Sequence, residues 1–197
     1  MLVVRICCGP YESLSYLVIE GEEAFLVDAG PPTEILLETV EAEGVDLKFV
    51  LITHGHYDHL TGLAGLQDSL DVPAYAHPLE VDFFKEVWPY GLEPPELAPL
   101  PDRISLSGLV VEPIHTPGHT PGSTCYYLRD HKVLFTGDTL FAGAVGRTDF
   151  RGGNEEELRR SLKLLLKLPR EVKVLPGHGE PTTLERELPL ITSIALP

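Results

Sequence analysis

The chain reads as an α+β sandwich, two β-sheets with helices on their outer faces. Three observations predict it. Apolar runs of strand length are bounded by Gly, Pro and acidic turn residues. Other segments carry apolar residues at helical spacing. The same mixture of strands and a helix appears in both halves, without an internal sequence repeat.

In order, "LVVRICCG", "SLSYLVIE" and "AFLVDAG" read as strands, with "PYE" and "GEE" supplying the turns. "PPTEILLETVEAEG" reads as a helix with Thr33 as its cap. Ile35, Leu36, Thr39 and Val40 recur at helical spacing, and Gly44 is placed to stop it. "LKFVLIT" is continuously apolar, as in a strand buried on both faces. A short helix over "LTGLAGLQDSL" and a strand over "VPAYAH" follow, then an irregular, stiff, proline-rich loop from Glu86 to Arg103. In the second half "LVVEPIHT", "STCYYLRD" and "KVLFTGD" are strands. "NEEELRRSLKLLLKLP" is an amphipathic helix capped by Asn154, with acids in its first turn, and "EVKVLPGHG" is the last strand. Residues 1–197 are expected to form one domain.

Composition narrows the function. With 43% hydrophobic and 23% charged residues, the chain is of ordinary globular type. A formal charge of −15 argues against a nucleic-acid groove and against anionic membrane surfaces. Neither a spanning helix nor a signal peptide is read, so a cytoplasmic location is expected. Cys7, Cys8 and Cys125 lack metal-ligand spacing and read as small buried hydrophobes in a reducing compartment.

The chemistry is concentrated in "THGHYDH", Thr53 to His59, which holds three of the eight histidines. His54, His56, Asp58 and His59 follow one apolar strand. His119 follows "VEPIHTPG", Asp138 follows "VLFTG", and His178 follows "VLPG". All seven lie where a strand leaves into a Gly- or Pro-containing turn, where a rigid scaffold commonly presents functional groups. In extended chain His54 and His56 share a face and can reach one ion. One zinc takes about four ligands. Seven candidates therefore imply two ions with a shared carboxylate, ~3.5–4 Å apart as in two-metal hydrolases.

"THGHYDH", "TPGHTPGS", "FTGDTLF" and "LPGHG", in this order, resemble the metallo-β-lactamase superfamily, specifically its glyoxalase II-like branch, from about Leu14 to about Glu187. The resemblance implies a four-layer αβ/βα sandwich of two mixed sheets. It places His54, His56 and His119 on a first metal, Asp58, His59 and His178 on a second, and Asp138 between them. It also makes Asp28 a partner of a metal-bound histidine or of its turn. Zinc is the first choice, with iron or manganese as alternatives. No cysteine stands among the ligands, which departs from many β-lactamases. "GRTDFRGG" resembles the corresponding loop of glyoxalase II-like hydrolases and persulfide dioxygenases, and makes Arg147 the candidate for holding a substrate carboxylate. A helical glutathione-binding domain like that of a full glyoxalase II is not expected after "PGHGEPTTLERELPL".

The expected activity is thioester hydrolysis by a metal-bridging hydroxide that Asp58 orients, on a glutathione-type or other small thioester. No general acid stands out, and a thiol, with a reference pKa near ~8.5, leaves without one. The main rival is a mononuclear iron persulfide dioxygenase using His54, His119 and Asp138, for which His178 would be superfluous. A closed, non-catalytic metal site is the third reading. His77, His115 and His131 are read as structural, with His115 able to support the site indirectly. Trp88 and Tyr90 either line the cleft or pack.

Overall fold

Strand β2 (Leu14–Glu20) divides its side chains between two cores. Tyr16 and Val18 enter one apolar cluster, and Leu17 and Ile19 enter another. This follows from the two-residue period of a strand. A sheet buried on both faces in this way must have a layer on either side. In the computed structural model, which describes residues 1–7 and 9–195, both layers are present.

The first sheet contains β1 (Leu2–Cys7), β2, β3 (Glu23–Val27), β4 (Asp46–Leu51), β5 (Ala74–Ala76) and β6 (Ala98–Pro99), in that spatial order. β1 to β3 are antiparallel, with Val18 opposite both Val3 and Phe25. From β3 onward the pairing is parallel. On its outer face lie α1 (Thr33–Glu43), α2 (Leu63–Leu70) and α3 (Pro78–Val87), where Leu36, Leu63, Leu66 and Phe84 cover Leu17, Leu26, Val50 and Ile52.

The second sheet contains β7 (Ile104–Leu106), β8 (Leu109–His115), β9 (Thr124–Leu128), β10 (Val133–Gly137), β13 (Lys173–Pro176) and β14 (Thr182–Thr183), ordered β14-β13-β10-β9-β8-β7. A two-residue hairpin, β11 (Leu140–Phe141) with β12 (Ala144–Val145), follows β10. Helices α4 (Glu155–Leu165) and α5 (Leu184–Ala195) cover the outer face through Leu158, Leu162, Leu165 and Ile191. Between the sheets, Leu14, Tyr16, Phe25 and Leu51 meet Ile104, Val111, Tyr126 and Phe135. The order helix, sheet, sheet, helix is the four-layer sandwich.

The structure departs from the sequence reading in several places, among them the short strands β6, β7, β11 and β12, which have no counterpart in it. Thr33 is the first helical residue, not the cap; Pro32 precedes it and the Thr33 hydroxyl donates instead to Gly62 O at 3.1 Å. Helix α3 has no counterpart among the segments that the sequence predicts to be helical. Pro78 stands at the start of that helix, where its missing N–H costs nothing, and His77 Nδ1 accepts the Leu79 N–H. β13 is not the last strand, because β14 follows it, with α5 after that. Pro189 inside α5 disguises a helix whose buried face is Leu184, Glu187, Ile191 and Ala195. Finally, Cys7 is exposed rather than buried, whereas Cys125 is buried as expected; Cys8 lies outside the described residues. The Gly44 stop and the Asn154 cap hold: Gly44 is left-handed (φ 64°), and Asn154 Oδ1 accepts the Glu157 N–H at 3.1 Å.

Candidate metal centre

Strand direction brings the four motif loops together. β8 is antiparallel to β9, and β9 to β10, so β8 and β10 run the same way; β13 is parallel to β10. The loops leaving β8, β10 and β13, which carry His119, Asp138 and His178, thus emerge at one sheet edge. The loop after β4 joins them through a Thr124 N–H bond to Thr53 O at 2.9 Å. The loop after β13 joins through Gly177 N–H to Gly137 O at 2.8 Å.

At this edge the seven residues converge. The ligand atoms of His54, His56 and His119 lie within 4.8 Å of one another, as do those of Asp58, His59 and His178. A third such group, His54, His59 and Asp138, joins the two. Asp138 Oδ2 is 3.6 Å from His119 Nε2 and 3.8 Å from His178 Nε2, while Oδ1 is 3.4 Å from His59 Nε2. Asp138 therefore stands between the clusters.

Hydrogen bonds outside the cluster aim three of the imidazoles. His54 Nδ1–H donates to Thr53 Oγ1 at 3.1 Å, and His119 Nδ1–H donates to Arg147 O at 2.8 Å. His59 Nδ1–H donates to Asp28 Oδ2 at 3.0 Å. These tautomers, assigned from their partners, leave each Nε2 lone pair facing inward, the arrangement that orients metal-bound histidine. Asp28 also accepts from Thr53 N and Thr53 Oγ1, both at 2.7 Å, and so ties His59 to the start of the His-rich turn.

The donor set suits cations. His54 Nε2 and Asp138 Oδ1 are buried without a hydrogen-bond partner. His119 Nε2 faces His56 Nδ1 at 3.0 Å, and His59 Nε2 faces His178 Nε2 at 3.2 Å. Lone pairs aimed at one another are unfavourable unless a proton or a cation lies between them. Tetrahedral zinc with bonds of ~2.0–2.1 Å separates its ligand atoms by about 3.4 Å, close to these spacings. Five imidazoles and two carboxylates suit zinc, iron or manganese alike.

The electrostatics match. Burial, reinforced by the surrounding imidazoles, pushes His54 well below its ordinary range and His56 down to about 4. Burial opposes charge on His59, but Asp138 and Asp28 outweigh it and raise that histidine well above its usual range. Burial likewise opposes charge on Asp58, yet the bond from His178 overcomes it and holds this carboxyl down at about 2. Asp138 is also lowered, burial being outweighed by His59.

Other candidates take different places. Arg147 is held by Asp149 in a two-bond fork, 2.7 Å on each arm, and its guanidinium lies 3.8 Å from the Phe150 ring centre. Its carbonyl, not its fork, touches the cluster. His115 donates to Pro121 O at 2.9 Å and stacks on His77, bracing the His119 loop without reaching the ligands. Trp88 packs against Tyr57 and Phe84, and Tyr90 projects fully into solvent. Two contributors escaped the sequence reading: Thr53, the residue before the cluster, and Glu80 on α3. An acid at 80 on the same helical stripe as Phe83 and Phe84 was the available signal.

A family model described as the metallo-beta-lactamase superfamily matches residues 8–178. A Haemophilus influenzae hydroxyacylglutathione hydrolase, GloC, is 35% identical over 190 residues, covering 89% of each chain. Among solved structures, the BLEG-1 B3 metallo-beta-lactamase has a TM-score of 0.87 at 30% identity, covering 97% of this chain and all of its own. The di-iron-bound form of TTHA1623 has a TM-score of 0.84 at 38% identity, covering 94% and 97%. With two sheets layered between helices and seven His and Asp ligand candidates at one sheet edge, this chain belongs to the metallo-beta-lactamase superfamily, a metallo-hydrolase family built around divalent cations.

Proposed function

We propose that the chain is a thioester hydrolase of the glyoxalase II type, acting on a small thioester. The observation that carries this reading is a pair of ligand clusters that meet at Asp138. His54, His56 and His119 would hold one ion and Asp58, His59 and His178 the other. When bound, the ions supply a hydroxide at neutral pH and polarise the substrate carbonyl. Asp58, kept ionised, accepts a hydrogen bond and orients the attacking water. With Asp58 and Asp138 both lowered, the cluster's own carboxylates hold no proton for an amine leaving group. A thiolate, of reference pKa near ~8.5, needs none. That supports a thioester over a β-lactam amide.

Arg147 would bind a substrate carboxylate only by exchanging it for Asp149. The charge of −15 supports a small-molecule substrate over a nucleic-acid or membrane partner, and the free, exposed Cys7 fits the reducing cytoplasm.

The test compares hydrolysis of S-lactoylglutathione and simpler thioesters with oxygen uptake on glutathione persulfide, after metals per chain have been counted. Two ions and thioester turnover are expected. Oxygen consumption with one iron per chain would establish the dioxygenase instead. His59→Ala should abolish most hydrolysis, and unchanged turnover would argue for a mononuclear site.

A further inference from the structure

We infer that Glu80 is a positioning residue that spans the two loops bearing His54, His56 and His119, and so sets the geometry of the first cation site. The Glu80 side chain is completely buried on the inner face of α3. Its Oε1 accepts the Gly55 N–H at 2.7 Å, between His54 and His56. Its Oε2 accepts the Gly122 N–H at 2.7 Å and the Thr120 hydroxyl at 2.9 Å, immediately after His119. One carboxylate thus joins two loops that come from different sheets, and its hydrogen-bond partners are neutral donors only.

A buried carboxylate without a cationic partner is an expensive way to fill space, since an apolar side chain would pack as well. Its three donors suit an ionised acceptor. Burial nonetheless raises its proton affinity, although all three bonds act the other way. Neighbouring residues are shaped around it. A Cβ on Gly55 would collide with Phe84 Cβ and come within 3.1 Å of Glu80 Oε1. A Cβ on Gly122 would lie 2.6 Å from Glu80 Oε2 and 2.5 Å from Glu80 N. The glycines in "HGH" and "PGS" are therefore the seats by which both loops dock on α3.

The second cluster is held by other means. His59 bonds to Asp28, and Ser13 Oγ–H donates to Asp58 O at 2.6 Å, so Glu80 touches neither Asp58, His59 nor His178. The role assigned to Glu80 is thus unequal between the two ions, and it rests on the grouping of ligands proposed above.

The test isolates each cluster in the full-length chain. In His178→Ala protein only the first cluster is intact, and in His56→Ala only the second. Zinc affinity of metal-stripped protein is measured by chelator competition, and cobalt-loaded protein is read by its absorption bands. Adding Glu80→Gln should weaken zinc binding about 10- to 100-fold in the His178→Ala background. It should also shift the cobalt bands there, and leave the His56→Ala background unchanged. Leu165→Ala, a remote core variant, serves as the stability control and should alter neither affinity. Thr120→Val, which removes one hydroxyl from the same clamp, should weaken the first site in the same sense if Glu80→Gln fails to fold. Equal losses at both clusters, or none, would overturn the assignment. Intact zinc uptake without thioester turnover would sink the proposed activity while leaving Glu80's role standing. A wild-type chain that takes up no zinc would remove both.

Discussion

At the scale of single residues, the centre depends as much on groups behind the imidazoles as on the imidazoles. Asp28 accepts three hydrogen bonds, from His59 and twice from Thr53, and occupies a left-handed backbone conformation (φ 57°) to do so. Asp28→Asn presents an amide in its place and removes one charged acceptor. Zinc affinity of the second site should fall about 10- to 100-fold, measured by chelator competition in the His56→Ala background. Arg147 makes a sharper discrimination. Asp149 already fills its fork, although the pair is exposed and so worth roughly 0–1 kcal/mol. Asp149→Asn should therefore lower KM for an anionic thioester more than for a neutral one; no difference between them would place Arg147 outside substrate binding. The ligand residues were legible in sequence because each follows closely on an apolar strand and five of the seven, His54, His56, His119, Asp138 and His178, adjoin a glycine. Glu80 was not, because one acid in an apolar stretch reveals its partners only after folding.

At the scale of elements, capping and packing can be separated from the chemistry. Asn154 caps α4, and Asn154→Ala should cost about 1 kcal/mol in chemical denaturation while metal content stays at the wild-type value. Leu162, fully buried beneath the second sheet, should cost about 2–5 kcal/mol as Leu162→Ala. Strands were the more readable elements, since two-residue alternation and turn residues survive in sequence. The first helix was readable from its apolar spacing and Gly44 stop, and the Asn154 helix from its cap and apolar spacing. Helix α3 was hidden because its opening proline resembles a breaker, although at a first helical position proline is favourable. Pro189 concealed α5 similarly.

At the scale of the whole molecule, three apolar clusters build the layers without help from the metal centre. Removal of cations should therefore leave the fold standing. Chelator-treated protein should keep its far-ultraviolet circular dichroism. Cations at about 1,000 times their Kd should add about 4 kcal/mol, seen as a higher Tm. Loss of secondary structure on chelation would instead make the ions part of the folding core. No helix among the described residues is long and apolar enough to cross a membrane.

The sequence by itself determined the strands that feed the site, the seven ligand candidates and the expectation of two cations, because apolar period, turn chemistry and donor type are local properties. Tertiary structure brought together the donors that the family resemblance had grouped, and it alone decided that Arg147 is engaged by Asp149 and that Glu80 joins two loops. Those facts depend on strand direction and on close approach between distant segments. Contacts of that kind carry no local signature, so only the packed chain can reveal them.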